Sequence, residues 1–544
     1  MNSATDAGDP LELFIRAASE NVNYPCRMFK DPRSADRLTA NRMKLGVPAE
    51  NAGVMVIYTG GTIGCAPSDD KDPLSPQVVQ SWPTLRRSIP ALAHSTTAAL
   101  NFRIDAVSFE VPLDSSNMTP VDWVAIAQLL RRFMDSYEGF VILHGTDTMV
   151  YSASALSFMI SNLKKPVIFT GAQLSAIADV RSDGQPNLIT SMLIANARYS
   201  SIPNVPEVCI FFNRKLLRGN RAIKMDADGF DAFDTPNFPP LGEVGSAIEI
   251  RSELVLRPGV HAVTVQDQLE TNVVDIAIFP GIQDGQILGS ILMTEGLKGV
   301  VLRTYGAGNM PTATNVLSQL NIARERGIVV VNVSQCPRGT VRIGLYETSA
   351  LLLGYGVVSG VDITAQAALT KLMVLLGDPL LDLEEIPRSV QVALRGEQSE
   401  SIYVSPLDGG GSGTLSSGQP SVWFRTKDAV FRPLGTIRKA VLVLYSVSVR
   451  PRAGADRVGI EVFLNGPAGE DVGPNRPGPA CSVSRLATEE GDGAATLVFD
   501  VTLAMEQDLQ EGRRNSFRIS LSSGEDGAVT WTMGELAMYV EGPN

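Results

Sequence analysis

From Val54 onward, short and wholly apolar runs end in glycine- or hydroxyl-rich turns and are followed by helical stretches: "VMVIYTGGT", "GFVILHGTDT", "PVIFTGAQ" and "EVCIFF". A strand with no polar alternation must be covered on both faces. Strands alternating with helices achieve this by forming a parallel sheet between two helix layers. One helix start can be placed to the residue. In "MTPVDWVAIAQLLRRFM", Thr119 is the N-cap, Pro120 takes the first helical position and Asp122 lies near the positive helix end. After a more polar stretch the pattern resumes in "VVDIAIFPG", "GVVLRTYGAGN" and "GIVVVNVSQ", which predicts a second, smaller α/β domain.

A chain of 544 residues is too long for one core and suggests three or four units of roughly 150 residues each. "SPLDGGGSGTLSSGQPS", residues 405–421, has the glycine and serine density of a flexible linker. Beyond it, "AVLVLYSVSV", "GIEVFLNG", "TLVFDVTL" and "FRISLSS" are separated by Gly, Pro and Asp turns and predict an all-β sandwich. The expected organisation is an N-terminal extension without clear strands (1–50), an α/β domain with the main motifs (51–245), an inter-domain linker (246–271), a smaller α/β domain (272–400), a Gly/Ser-rich linker (401–421) and a sandwich-like domain of unassigned role (422–544). Trp423 and Trp531 are read as sandwich core. The linker predicts that a chain ending near Glu400 folds and works without the sandwich.

The net charge of −12 disfavours a nucleic-acid surface, which needs clustered Lys and Arg. No apolar run reaches the ~18 residues of a membrane span. "MNSATDAGDPLELF" lacks a basic region followed by an apolar stretch, so a cytoplasmic location is expected. The five cysteines lie far apart without a CxxC pair, which argues against disulfides or a zinc site and for reduced, mostly buried thiols. Cys336 is read as a small buried apolar residue.

In an open parallel sheet, ligands bind beyond the carboxyl ends of the strands. Hydroxyl-rich turns fall there: "TGGTIG" with Thr59 and Thr62, "HGTDT" with Thr146, Asp147 and Thr148, "TGAQ" with Thr170 and Gln173, and "LDSSNMT" with Ser115 and Ser116. A single Thr after a strand is commonly a helix cap. Capping does not explain a carboxylate between two threonines. A hydroxyl nucleophile, a carboxylate and a cation, for which Lys224 is the candidate, are the parts needed for acyl transfer without histidine or metal. His144, just before the motif turn, is read as a structural strand-end histidine.

"YTGGTIG", "DSSNMT", "GFVILHGTDTM", "SALSFM", "KPVIFTGAQ", "RSDGQPNL", "FFNRKLLRGNRAIK", "ADGFDAF" and "YGAGN" follow one another in an order that resembles the L-asparaginases, most closely the cytoplasmic type I branch, over residues 54 to about 397. The resemblance implies a two-domain α/β core that hydrolyses L-asparagine to L-aspartate and ammonia, with minor glutaminase activity, no cofactor and no metal, in a homodimer or homotetramer. Carried over by residue, Thr62 is the nucleophile, while Thr146, Asp147 and Lys224 form a second catalytic group. Asp147 meets the substrate's α-ammonium, and Ser115, with Ser116 beside it, meets the α-carboxylate. The backbone at Gly61 and Thr146 stabilises the oxyanion, Ala172 receives the leaving amide nitrogen, and Asn309 stands beside the site of a neighbouring subunit.

Three positions depart from the family pattern. The loop "GCAPSDDKDPLSPQVVQ" lacks the usual tyrosine, Asn117 replaces an Asp, and Ile223 replaces a hydroxyl before the lysine. Two other readings are weighed. One is an amidotransferase-type subunit, which calls for a basic RNA-facing surface that the net charge opposes. The other is a non-catalytic homologue whose sandwich binds a ligand of its own: a protein, glycan or lipid.

Overall fold

The computed structural model describes residues 12–18 and 23–29, then 53–425 apart from short gaps at 70, 73–74, 94–99, 101, 198–201, 283–285, 343–346, 417 and 420, and the strands and one following residue at 436–451, 457–464, 481–487, 495–501, 516–521 and 527–541. The first domain is built on strands β1 (Glu12–Ala18), β2 (Asn23–Phe29), β3 (Gly53–Gly60), β4 (Arg103–Leu113), β5 (Gly139–Leu143), β6 (Val167–Thr170), β7 (Val208–Phe212), β8 (Lys215–Arg218), β9 (Gly242–Val244) and β10 (Ile248–Ile250). They form one sheet in the order β1-β2-β4-β3-β5-β6-β7-β8-β9-β10. β4, β3, β5, β6 and β7 run parallel, and antiparallel strands extend both edges.

The apolar runs divide between two layers. Met55, Ile57, Phe140 and Ile142 pack under helices α1 (Pro120–Phe133) and α2 (Met149–Met159). Val54, Val56, Tyr58, Val141 and Leu143 face α3 (Gly184–Ala195). Each fully buried Val, Leu or Ile contributes about 1.5–3 kcal/mol, so strands covered on both faces are mostly apolar, and a polar side chain within them is buried together with a partner, as Asp105 is with the Tyr137 hydroxyl at 2.6 Å. α1 starts as expected: Thr119 N–H donates to Asp122 Oδ2 at 2.7 Å within a capping box.

The second domain is a parallel sheet of β11 (Val273–Ala277), β12 (Gly299–Thr304), β13 (Val329–Ser334) and β14 (Val357–Ser359), in that order. Helix α4 (Ala365–Gly377) shares a core with α2, so the two α/β domains are joined by apolar packing.

Residues 400–541 contain two antiparallel sheets around one core that includes Leu442, Leu444, Ile460, Phe499, Ile519 and Trp531. This matches the expected sandwich. The side chain of Trp423 lies outside the described residues.

Four details differ from the sequence reading. The N-terminal extension holds two strands, and β2 pairs antiparallel with β4 to extend the catalytic-domain sheet. The Gly/Ser segment is built into the sandwich rather than linking to it: Glu400–Pro406 and Gly413–Leu415 are strands, and Leu407 and Leu415 are fully buried. Its glycines serve close approach, since the Trp531 indole N–H donates to the Gly411 carbonyl at 2.5 Å and Gly413 lies against the Trp531 ring. The sandwich also has an apolar contact outside its own core, with Val441 and Val443 packing against Val361 of the second α/β domain. Finally, Cys336 is exposed, in the turn after β13 where its N–H donates to Ser334 Oγ at 3.0 Å.

Candidate active site

The strand order reverses between β3 and β5: the chain goes from β3 to β4 on one side, then returns to place β5 on the other. Such a reversal opens a crevice beyond the carboxyl ends of the two strands. Thr62 follows β3, Thr146 and Asp147 follow β5, and Ser115 follows β4. The topology therefore brings together turns that are widely separated in sequence.

The "TGGT" turn is a tight one. Gly61 has φ +89°, a conformation that favours glycine, and a Cβ there would lie 2.6 Å from Gly145 Cα and 2.7 Å from the His144 carbonyl carbon. Gly61 N–H donates to the Leu113 carbonyl at 3.0 Å, tying the end of β3 to β4. The half-buried Thr62 opens a one-turn 3-10 helix, Thr62–Gly64. The loop beyond it folds as a short hairpin, Cys65–Pro67 against Gln77–Val79. Tyr58 anchors the base of that hairpin from below, its hydroxyl donating to the Gln80 carbonyl at 2.8 Å. Burial pushes the Tyr58 phenol far above its ordinary range, so it stays neutral.

Lys224 joins the second group. Its Nζ donates to Thr146 Oγ1 at 2.9 Å and to Asp147 Oδ1 at 2.7 Å. Thr146 is buried, whereas the Asp147 side chain is 61% exposed and Lys224 20%. The ammonium thus spans a dry hydroxyl and a wet carboxylate. Thr148 Oγ1 donates to the Ser115 carbonyl at 2.7 Å, locking the "GTDT" turn to the "DSS" turn. Asp114 Oδ1 accepts from the backbone and hydroxyl of Ser116, each at 2.9 Å, while Ser115 itself is buried.

His144 is buried and fully engaged. Its Nδ1 lies 2.7 Å from the Gly145 carbonyl and its Nε2 2.9 Å from Ser152 Oγ, which in turn accepts from Trp123 Nε1 at 2.9 Å. Burial pushes its pKa down to about 4. A neutral ring with both nitrogens in hydrogen bonds braces the turn.

Ala172 is buried in the "TGAQ" turn, which is held by a residue that received no role from sequence. Asp183 Oδ1 accepts from Gln173 N–H at 3.0 Å and Leu174 N–H at 3.1 Å. Gln173 Nε2 reaches the carbonyls of Ala227 and Gly229, both at 3.0 Å, bracing the loop just after Lys224. The motif "RSDGQPNL" was the available signal for Asp183, a carboxylate placed just ahead of a helix. Asn309 lies on the second domain, in the turn where its N–H donates to the Tyr305 carbonyl at 2.9 Å.

The arrangement offers two hydroxyls on neighbouring turns, one of them held by an ammonium, beside backbone N–H groups in tight turns. That set suits acyl transfer through an oxygen ester. A family model described as "Asparaginase, N-terminal" matches residues 53–256, and "Glutaminase/Asparaginase C-terminal domain" matches residues 272–389. L-asparaginase 1 of Escherichia coli K12 is 42% identical over 346 residues, covering 63% of this chain and 97% of that protein. The 60 kDa lysophospholipase of Mus musculus is 40% identical over 362 residues, covering 64% of this chain, which itself spans 62% of the mouse protein's length. The crystal structure of L-asparaginase I from Vibrio cholerae superposes with a TM-score of 0.56 at 39% identity, covering 64% of this chain and 99% of that one. By sequence and by fold, the chain belongs to the asparaginase family.

Proposed function

We propose that this protein is an amidohydrolase that converts L-asparagine to L-aspartate and ammonia through a threonine nucleophile. The observation that carries the reading is Lys224 Nζ bridging Thr146 Oγ1 and Asp147 Oδ1, on a turn packed against the one that holds Thr62. Thr62 Oγ1 attacks the side-chain amide carbon as its proton passes to a neighbouring base or water. The tetrahedral oxyanion is stabilised by the Thr146 backbone N–H, a contribution of about 3 kcal/mol for one donor in acyl-transfer sites, whereas the Gly61 N–H expected to share this duty is held by the Leu113 carbonyl. The proton taken from Thr62 is passed on to the amide nitrogen as collapse breaks the C–N bond, and ammonia leaves past Ala172. Thr146, having given its own proton to solvent at a cost that the Lys224 ammonium lowers, takes a proton from the water that attacks the β-aspartyl ester; the acyl C–O bond then breaks and Thr62 leaves as an alkoxide that is reprotonated from solvent.

Asp147 binds the substrate's α-ammonium, and Ser115 and Ser116 bind the α-carboxylate. The exposure of Asp147 suits a carboxylate that waits for a cation from solvent. No cofactor enters these steps. Asn309, in the turn after β12 on the second domain, serves the site of a second subunit in a homo-oligomer. No helix among the described residues is long and apolar enough to cross a membrane, and a cytoplasmic location remains part of the proposal.

The test measures ammonia released from L-asparagine and L-glutamine beside fatty acid released from a lysophospholipid, all with the purified full chain. Ammonia release faster from asparagine than from glutamine is expected. Fatty acid release without ammonia release would replace this reading with a lipid hydrolase, the activity named for the mouse relative.

A further inference from the structure

Val361, just beyond β14, has φ +58°, a left-handed conformation that β-branched residues avoid. It is nevertheless buried at 3% exposure. Its N–H donates to Ser359 Oγ at 3.1 Å and its carbonyl accepts from Val341 N–H at 2.8 Å. Its side chain sits in an apolar cluster with Ile402, Val441, Val443 and Ala537, flanked by Leu353 and Tyr445. Val441 and Val443 alternate along one strand, Thr436–Pro451, with Leu442 and Leu444 of the sandwich core, so they project from the sandwich's outer face onto the second α/β domain.

The next residue faces the catalytic domain. Asp362 Oδ2 accepts from Arg221 Nη1 at 2.8 Å and from Ser399 Oγ at 2.5 Å, and its Oδ1 accepts from Ser399 N–H at 2.7 Å. Arg221 and Asp362 are both almost fully buried, so neither can part from the other without leaving a charge unpaired. Arg221 Nε also donates to the Gly396 carbonyl at 2.7 Å, and Asn237 Nδ2 donates to the Asp362 carbonyl at 3.2 Å. Arg221 ends the short helix Gly219–Arg221, and Lys224 ends the strand Ile223–Lys224 immediately after it.

We infer that the C-terminal sandwich positions Lys224: its outer face packs on Val361 and holds the Val361–Asp362 turn in a left-handed conformation, from which Asp362 fixes Arg221 and the segment ending in the lysine. Val361, Asp362 and Arg221 are positioning residues that touch no substrate. Without the sandwich's apolar cover, the hydrogen bonds to Ser359 and Val341 are left to hold the strained backbone at Val361, the turn relaxes, and the buried ion pair carries the displacement to Lys224. A shift of about 1 Å in a group that takes part in the chemistry costs on the order of 100-fold in rate. The inference rests on Lys224 belonging to the catalytic group.

The experiment compares the full-length parent with Val441→Ser/Val443→Ser, Val361→Ala, Val361→Gly and Val443→Ile in steady-state hydrolysis of L-asparagine, with rates normalised to folded protein. The double serine variant weakens the outer face while leaving Leu442 and Leu444 in the sandwich core. Val361→Ala removes most of the contact, keeps a Cβ that disfavours the left-handed backbone, and disturbs the fold less than the serine variant, whereas Val361→Gly removes the strain together with the contact. The serine and alanine variants are expected to lose about tenfold or more in kcat with KM within about twofold, and Val361→Gly and Val443→Ile to stay within about threefold of the parent kcat. An active parent with the alanine variant at parental kcat, or with the glycine variant losing as much as the alanine variant, overturns the inference and leaves the proposed function standing. A parent that releases no ammonia from asparagine overturns both.

Discussion

Replacing Lys224 by Met keeps an unbranched side chain of similar length and removes the ammonium. Two hydrogen bonds are lost, at 2.9 Å to Thr146 Oγ1 and 2.7 Å to Asp147 Oδ1. Their worth to folding is small. The Asp147 side chain is 61% exposed, so the ion pair falls in the screened range of about 0–1 kcal/mol. Their worth to the reaction is larger, because taking a proton from the buried Thr146 develops negative charge where little water can solvate it. Loss of one preorganised donor at such a site costs about 3–4 kcal/mol, or roughly 100- to 1000-fold in kcat. The assays are ammonia release under steady state and urea unfolding of the same preparations. Lys224→Met is expected to unfold within about 1 kcal/mol of the parent and to lose about 100-fold or more in kcat. The opposite pattern, a loss of several kcal/mol in stability with kcat within tenfold of the parent, would make Lys224 a structural residue and refute the reasoning.

Succinamic acid, an asparagine without its α-amino group, lacks the ammonium that Asp147 meets, leaves that carboxylate to Lys224 and solvent, and is expected to react at least about tenfold more slowly in kcat/KM, at ~1–3 kcal/mol for the missing partner; equal rates would remove Asp147 from substrate binding. His144 is neutral in the fold with a pKa near 4, against about 6.5 when unfolded. As pH falls through 6.5 the unfolded chain takes up the proton first, so stability drops by up to roughly 3 kcal/mol between pH 6.5 and 4; urea midpoints at pH 7 and 4.5 should show this loss, and His144→Gln should shrink it. A chain ending at Glu400 uncovers Val361 and Leu353 and removes the cover provided by Ile402, Val441 and Val443. It is expected to aggregate or to lose kcat, and a soluble oligomer with parental kcat would show that the sandwich is dispensable.

Much of the catalytic core was legible because its signals are local. Strands buried on both faces are mostly apolar, and Thr119, Pro120 and Asp122 mark a helix start through contacts within one turn. The hydroxyl turns were visible as departures from that rule at strand ends. Lys224 was not legible from chemistry alone, since it meets Asp147 from 77 residues away and a lone lysine reads as surface; the ordered motifs singled it out. Asp183 escaped for a similar reason, because its partners are backbone N–H groups of a distant turn.

The Gly/Ser segment misled for a physical reason. Glycine density marks flexibility and close approach alike, and here partners distant in sequence, the Trp531 ring against Gly413 and the Gly534 backbone against Gly411, decide for close approach. A usable signal did exist in "AVLVLY". An edge-to-edge apolar run in an antiparallel sheet means that both faces are covered, and the second face is the one on Val361.

The central claim is that Thr62 is the nucleophile of an asparagine amidohydrolase. It is tested most directly by ammonia release from L-asparagine, measured side by side for the parent chain and for Thr62→Ala, which deletes the hydroxyl and little else. The account predicts steady ammonia release by the parent and a variant that remains folded but is slower by about 1000-fold or more. A folded Thr62→Ala variant that hydrolyses asparagine within tenfold of the parent would contradict it.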